Sequence, residues 1–501
     1  MDASLARRLV LVAIALGALA DVLFDGQRPG LNAAIGTAVL LAAITVIGRR
    51  HSTAPIDRAD VWLPPVALAA AAALALRADP SLVLLDALLV LAALGAWSFA
   101  AAGTPVTRRS TASVAALGGW VVAAAGLAAF AVARRLGLAP SLDRAAEALR
   151  RVAPVVRGLV LALPIVVLFS ALLASADAVF GRVLEDALAI PIHPEEPLRH
   201  AALIAVVAWL VLGPLAIAAG ILPPAGVELG PGGPATEPRR SFAATELTVV
   251  LLALDALFGV FVALQFAYLF GGGDTRSAIG PTYSEYARQG YFQLVAVVVL
   301  VGLLILVATA LASRTCAFEA VTLALIALTA VILASAVVRL GLYLQAYGWT
   351  ELRFYVGASM AWLAICGVTA AVLFVRDGMR WLPHAAALAA IAVTLAISAL
   401  GPQAFVAGQN VARAIDPSLV PADGHDGLDA AYLASLGPDA VPVIVDALDR
   451  MSTTDRKASL QALEPWRTAT DVGPTDWREW NLARARAAEA LERLAEDERR
   501  R

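Results

Sequence analysis

The run Val249-Val-Leu-Leu-Ala-Leu-Asp255-Ala-Leu-Phe-Gly-Val-Phe-Val-Ala-Leu-Gln265-Phe-Ala-Tyr-Leu-Phe270 carries a single charged side chain. An α-helix rises 1.5 Å per residue, so ~20 apolar residues match a hydrocarbon layer of ~30 Å. The stretch therefore reads as a membrane-spanning helix with a carboxylate inside it. Similar runs recur at about 9 to 24, 31 to 47, 61 to 76, 81 to 102, 113 to 133, 158 to 176, 201 to 223, 291 to 312, 319 to 338, 354 to 375 and 381 to 400. With the run at 242 to 270 they make twelve candidate spans. Eleven is the alternative, because the run at 61 to 76 is short and Pro64 and Pro65 stand in its first turn, where a kink or a re-entrant segment is expected.

Composition agrees. Of 501 residues, 60% are hydrophobic and 16% charged, against roughly half and a quarter in soluble domains. The fold expected is all-α, a polytopic transmembrane helix bundle with a small soluble helical C-terminal domain. Four segments follow: an N-terminal helix group over 1–223, a Pro/Gly-rich linker over 224–241, a second helix group over 242–403 and a helical tail over 404–501. The formal net charge of -2 lacks the basic excess that nucleic-acid binding requires, so no nucleic-acid partner is expected. Lys457 is the sole lysine among 38 basic residues and alanine fills the apolar runs, a bias expected of a GC-rich bacterial genome. Arg7 and Arg8 followed by Leu9 to Ala20 resemble a signal peptide, but the apolar run continues through Phe24, and an uncleaved first span is the better reading.

Short cytoplasmic loops carry the excess of arginine. With twelve spans the arginines divide evenly between the two sides. If the 61 to 76 segment fails to cross, the N-terminus is cytoplasmic, the arginine-rich 134 to 157 loop is cytoplasmic and the tail extracytoplasmic, which is the expectation here. In the tail, Tyr432, Leu433 and Leu436, then Val441, Ile444, Val445 and Leu448, give two short amphipathic helices. A last helix is expected from about Thr475 or Asp476, with Trp480, Ala483, Ala487, Leu491 and Leu494 as its apolar stripe and Arg484, Arg486 and Arg493 in water.

No nucleophile elbow, zinc-binding His-Glu-x-x-His, phosphate loop or dinucleotide turn occurs, so no catalytic residue, metal or cofactor is predicted. Cys316 and Cys366 lie in apolar surroundings without ligand spacing, and the five histidines are scattered. A charge in the bilayer costs at least ~2.5 to 3.5 kcal/mol and persists when paired or functional. Asp255 is the clearest such residue, with Glu246 nine residues before it and Gln265 ten after. It is expected to face protein, either as structural glue or as a proton- or cation-coupled site. A second cluster is Thr282 to Phe292, where Tyr283 and Tyr286 flank Glu285 and Arg288, an i, i+3 pair on an interfacial helix. A third is Arg339 to Tyr355. Arg339, Tyr343 and Tyr347 share a helical face, Gly348 caps that helix, and Thr350 caps the next with Glu351 in its first turn.

These segments, with Ser-Ala-Asp177-Ala-Val-Phe180, Tyr-Ser-Glu285-Tyr-Ala-Arg288-Gln-Gly-Tyr-Phe292, Tyr-Gly-Trp-Thr350-Glu351-Leu-Arg353, Leu428-Asp429-Ala-Ala-Tyr432-Leu433, Asp439-Ala-Val-Pro442 and Trp480-Asn481-Leu-Ala-Arg484, resemble the bacterial multi-pass membrane family of domain of unknown function 4173, with the similar 4153 group. The resemblance covers about 158 to the C-terminus and is weaker in the first four spans. It implies a bacterial cytoplasmic-membrane protein with no assigned activity, and concentrates attention on Asp177, Glu285, Arg288, Arg339, Tyr343, Thr350, Glu351 and Arg353. Three classes of function follow. One is a scaffold or sensor whose tail docks on extracytoplasmic loops and recruits a protein partner. The second is an ion-coupled permease using Asp255, and the third, least supported by the residues, an intramembrane enzyme. The loops 172 to 182, 276 to 292 and 339 to 353 are expected to converge on one face and seat the tail. The sequence sets no oligomeric state.

Overall fold

A computed structural model describes residues 3–52, 54–109, 111–136, 196–222, 244–270, 291–311, 314–421, 427–469, 472, 473 and 475–500. Among them every regular element is helical. The membrane portion comprises α1 (Ala3–Phe24), α2 (Leu31–His51), α3 (Leu63–Leu76), α4 (Pro80–Ala101), α5 (Thr111–Arg135), α6 (Glu196–Ala218), α7 (Ala244–Phe270), α8 (Tyr291–Leu311), α9 (Cys316–Tyr347), α10 (Glu351–Val375) and α11 (Leu382–Leu400). The tail follows as α12 (Pro402–Ile415), α13 (Ala430–Ser435), α14 (Val441–Ala447), α15 (Thr453–Thr468) and α16 (Leu482–Arg500). Seven helical stretches among the described residues are long and apolar enough to cross a membrane: α2, Arg58–Leu76, α4, Pro197–Ala218, α9, α10 and Met379–Leu400. With backbone polar groups satisfied inside each helix and apolar side chains outside, they make the chain an integral membrane protein.

The apolar surface is buried in three clusters. One joins α1 to α6 around Leu9, Ile44, Phe99 and Leu215. Another joins α7 to α10 around Leu251, Phe318, Ile332 and Met360. The third belongs to the tail, around Val406, Val441, Leu463 and Ala487, and takes in Phe354 from the first turn of α10.

Short polar devices fix the ends of these helices. Asp60 accepts from the backbone of Val106 at 2.9 Å and Thr107 at 2.8 Å, which ties the start of the α3 segment to the α4–α5 turn. The far end of α3 meets the end of α11 through Arg77. The short run at 61 to 76 thus links opposite ends of the bundle. Pro64 and Pro65 do not break it, because they stand in the first helical positions, where a missing N–H costs nothing. Among the described residues, the end bearing the α1–α2, α3–α4 and α9–α10 turns is the end against which the tail packs.

Candidate functional site at the tail junction

The seat for the tail is built from helix ends. Asp79 opens α4 as its N-cap, accepting from Ser81 N at 2.8 Å with Pro80 at the first helical position. Two residues earlier, Arg77 spreads its guanidinium over two partners. Nε and Nη2 donate to Ser398 O at 2.8 Å and Ala399 O at 2.6 Å, the carbonyls that α11 leaves unpaired at its C-terminus. Nη1 donates to Asp439 Oδ1 at 2.9 Å, and the two side chains are 16% and 7% exposed. Asp439 starts the turn before α14, so this ion pair joins the membrane helices to the tail. Burial pushes the Asp439 carboxyl above the ordinary carboxylate range, against the pull of the Arg77 charge. Arg77 is admitted by Gly401, whose φ of +74° is left-handed and whose missing Cβ would stand 2.5 Å from Arg77 Nη1.

Further carboxylates crowd the same place. The Tyr355 hydroxyl donates to Asp79 Oδ2 at 2.8 Å. Asp86, 1% exposed and nearly two turns into α4, accepts from Ser398 Oγ at 3.1 Å. Glu351 accepts from Gln403 Nε2 at 3.2 Å. Of these carboxylates Asp439 bonds Arg77, while Asp79 bonds Tyr355, Asp86 bonds Ser398 and Glu351 bonds Gln403.

Next to it the α9–α10 turn is gripped by the tail. Asn410 accepts from Trp349 N at 2.9 Å and donates to Trp349 O at 2.8 Å, the paired geometry of a backbone partner. The Tyr432 hydroxyl accepts from Glu351 N at 3.0 Å, satisfying an orphan donor of α10. Arg413 donates to the last carbonyls of α9, at Leu344 (3.1 Å), Gln345 and Ala346 (3.4 Å). Phe405 packs between Trp349 and Phe354.

A third contact lies on the α1–α2 hairpin. Asn32, fully buried, donates to Leu23 O and Arg28 O and closes that turn. Leu31 N donates to Trp480 O at 3.0 Å, which is possible because a Cβ on Gly30 would fall 2.6 Å from that oxygen. Arg478 donates to Val22 O at 2.6 Å, and Asn481 to Leu74 O and Arg77 O at 3.0 and 2.8 Å. One pattern runs through all of this. Arg413, Arg478 and Asn481 of the tail each cap the carbonyl end of a membrane helix, where the helix dipole favours positive charge and donors. Glu479 orders the capping loop. Burial would raise its carboxyl, but donors from Thr475 and the Arg484 charge outweigh that and hold it below the ordinary value.

The third predicted cluster is assembled as expected at its caps. Gly348 has φ +75°, Thr350 Oγ1 accepts from Arg353 N at 3.4 Å, and Tyr343 and Tyr347 pack edge to face. Arg353 stacks 4.2 Å from the Tyr343 ring and donates to Tyr347 O and Gly348 O. Arg339 is buried on the same helix. Asp177, Glu285 and Arg288, with the loops 172 to 182 and 276 to 290 and the side chains of Glu246 and Gln265, lie outside the described residues. Asp255 is half-buried on α7, and its Oδ1 is buried with no hydrogen-bond partner among the described residues. Arg484 departs from expectation: it does not face water but is 8% exposed, donating to Pro29 O and Glu479 O. The last helix starts at Leu482, Asp476 capping a separate 3-10 turn before it.

Sequence reasoning passed over Arg77, Asp79 and Asp86 as site residues, and met Asp439 only within the motif that carries the family resemblance. Asp86 was findable, since it interrupts the run from 81 to 102 as Asp255 interrupts its own. It also passed over Asp21, Asp25 and His200, whose ligand atoms lie within 4.8 Å of one another. Arg199 bonds Asp25 at 2.6 Å and His200 Nδ1 meets Asp21 at 2.8 Å, so the group acts as a polar clip between α1 and α6.

No curated protein and no solved structure matches the chain. A family model does match, over residues 64–447, from α3 through α14. Of the two groups that the sequence resembles it is the 4153 group, and the chain belongs to the family described as Domain of unknown function (DUF4153).

Proposed function

We propose that the protein is a multi-pass scaffold or sensor of the bacterial cytoplasmic membrane whose helical tail is clamped onto the extracytoplasmic face and recruits a protein partner there. The observation that carries the reading is the seat itself. Arg77 holds a tail carboxylate and the end of α11 with one half-buried guanidinium, while tail side chains cap α1, α3 and α9. So many buried polar contacts fit a fixed platform better than a mobile gate. The sidedness rests on charge. Among the described residues, the helix ends away from the tail carry Arg7, Arg8, Arg49, Arg50, Arg58, Arg108, Arg109, Arg314, Arg376 and Arg380, whereas the ends at the seat carry fewer arginines, Arg28, Arg77, Arg134, Arg135, Arg199 and Arg353. Arginine retention in the cytoplasm supports an inner N-terminus and an outer tail. In this reading residues 404–501 form the capping unit and the number of spans is odd, eleven of the two counts the sequence allows.

A fusion after Arg501 tests it. A periplasm-dependent phosphatase there is expected to be active and a cytoplasm-only fluorescent reporter dark; the reverse pattern overturns the proposal. A second reading, an ion-coupled permease, draws on the Oδ1 of Asp255, buried with no hydrogen-bond partner among the described residues. Acid-driven proton uptake into proteoliposomes that is lost in Asp255→Asn would favour it over the scaffold.

A further inference from the structure

Between α1, α2, α4 and α6 lies a cavity of about 320 Å³ whose lining has one hydroxyl, that of Thr37, and is otherwise apolar. On α1 it extends from Leu16 to Phe24, about 12 Å of helix at 1.5 Å per residue. This is close to the depth of one leaflet, half of a ~30 Å hydrocarbon layer, and it lies in the half of the bundle nearer the tail. Two lining side chains are on the outer surface, Phe24 at 37% and Leu91 at 65% exposed, so the mouth opens sideways among residues that face lipid. The tail is bonded to helix ends beside the cavity, and none of its described residues lines it. Trp480 O is bonded to Leu31 N, and Asn481 Nδ2 to the carbonyl of Leu74, itself a lining residue. Trp477, 60% exposed, stands beside Arg478, which is tied to Val22 in the last turn of α1. An aromatic ring at a helix end beside lipid-facing Val22, 58% exposed, is where the headgroup region favours it.

We infer that this cavity is a lipid site, holding one acyl chain of a phospholipid from the leaflet on the tail side. An apolar cavity of this size stays dry and takes up hydrocarbon. Its lining offers a polar solute a single hydroxyl, that of Thr37, and its mouth opens among residues that face lipid. His200 lies on the same face of α6 as Val207 and Val211, two turns nearer the tail, so the clip with Asp21 stands at the headgroup end.

The test uses the full chain in vesicles of phosphatidylethanolamine and phosphatidylglycerol, with a trace of phosphatidylethanolamine carrying a diazirine in one acyl chain. After irradiation, adducts are mapped by mass spectrometry. They are expected to concentrate on Leu16 to Phe24 and Ala87 to Leu94, above the level on Val368 to Val375, a lipid-facing stretch of α10 that reports ordinary surface lipid. Ala20→Phe, which fills the cavity, should lower them to the α10 level and leave α10 unchanged. Ala87→Leu provides the same test with a smaller side chain, and α4 amide exchange verifies that each variant is folded. Adducts spread evenly over exposed helices, or undiminished by both substitutions in folded protein, overturn the inference.

Discussion

Replacing Arg77 by Met tests the seat most directly. The side chain keeps a flexible apolar stem as far as the Nε position and loses every donor. Asp439, 7% exposed, is then left as an unpaired buried carboxylate beside Asp79 and Asp86. Breaking a buried pair by removing one partner costs ~3 to 5 kcal/mol, because the remaining charge has no compensation. The freed carbonyls add little, since Ala399 O lies near the surface and hydrates while Ser398 O loses one bond of ~1 kcal/mol. At 1.4 kcal/mol per decade the opening equilibrium of the tail should rise ~100- to several-thousand-fold. Hydrogen exchange of the Ile444 and Val445 amides in α14, measured in nanodiscs, reads that equilibrium. The physical cause separates from simple loss of packing by a second change. Arg77→Met with Asp439→Leu removes the stranded charge and should recover most of the loss, as apolar replacement of a whole buried pair does. Exchange in Arg77→Met within about threefold of wild type, a shift of under ~0.7 kcal/mol, would falsify the argument. So would a double variant no better protected than the single one.

Gly401→Ala should loosen the same junction by ~1 to 3 kcal/mol, since it forces a side chain into left-handed backbone and into the Arg77 guanidinium; unchanged α14 exchange would contradict this. Gly30→Ala should cost ~1 to 3 kcal/mol through overpacking against Trp480 O, read as faster exchange at Leu31 N with α14 little affected. The two halves of the seat should respond oppositely to pH. Asp439 is raised above the ordinary 3.8, so its docked form binds protons more readily, and its contribution is present below that value and lost as pH rises through the raised one. Glu479 is held below 4.5, so its contribution is present above that value and lost as pH falls. Exchange corrected for intrinsic rates should therefore accelerate in α14 on the alkaline side and in residues 475–481 on the acid side, and the first effect should vanish in Asp439→Asn.

The helix-forming runs were legible because hydrocarbon sets a length that composition alone reveals. The caps at Gly348 and Thr350 were legible because capping is local, needing only residues a turn apart. The seat was not, because its pairs are distant in sequence: Arg77 with Asp439, Tyr355 with Asp79, Ser398 with Asp86. No periodicity within one run indicates which helix end another will meet. Arg484 illustrates the same limit, since a cation on the polar flank of an amphipathic helix reads as solvated unless the Pro29 carbonyl is known to face it. Pro64 and Pro65 were misread in the other direction. A proline pair near a run's start signals a helix entry when the first turn begins one residue earlier.

The ion pair at the seat joins residues 362 positions apart, and the ribosome imposes an order on them. Translation at ~5 to 20 residues per second leaves roughly 20 to 70 s between the synthesis of Arg77 and that of Asp439. Throughout that interval the ends of α1 and α3 stand uncapped, since Arg478 and Asn481 are made later still, and for most of it Asp79 and Asp86 lack Tyr355 and Ser398. The last segment made is the one that completes the first helices inserted. A truncated or stalled chain would thus display an unfinished acidic rim, a chemical mark by which membrane proteolysis would distinguish incomplete molecules from finished ones.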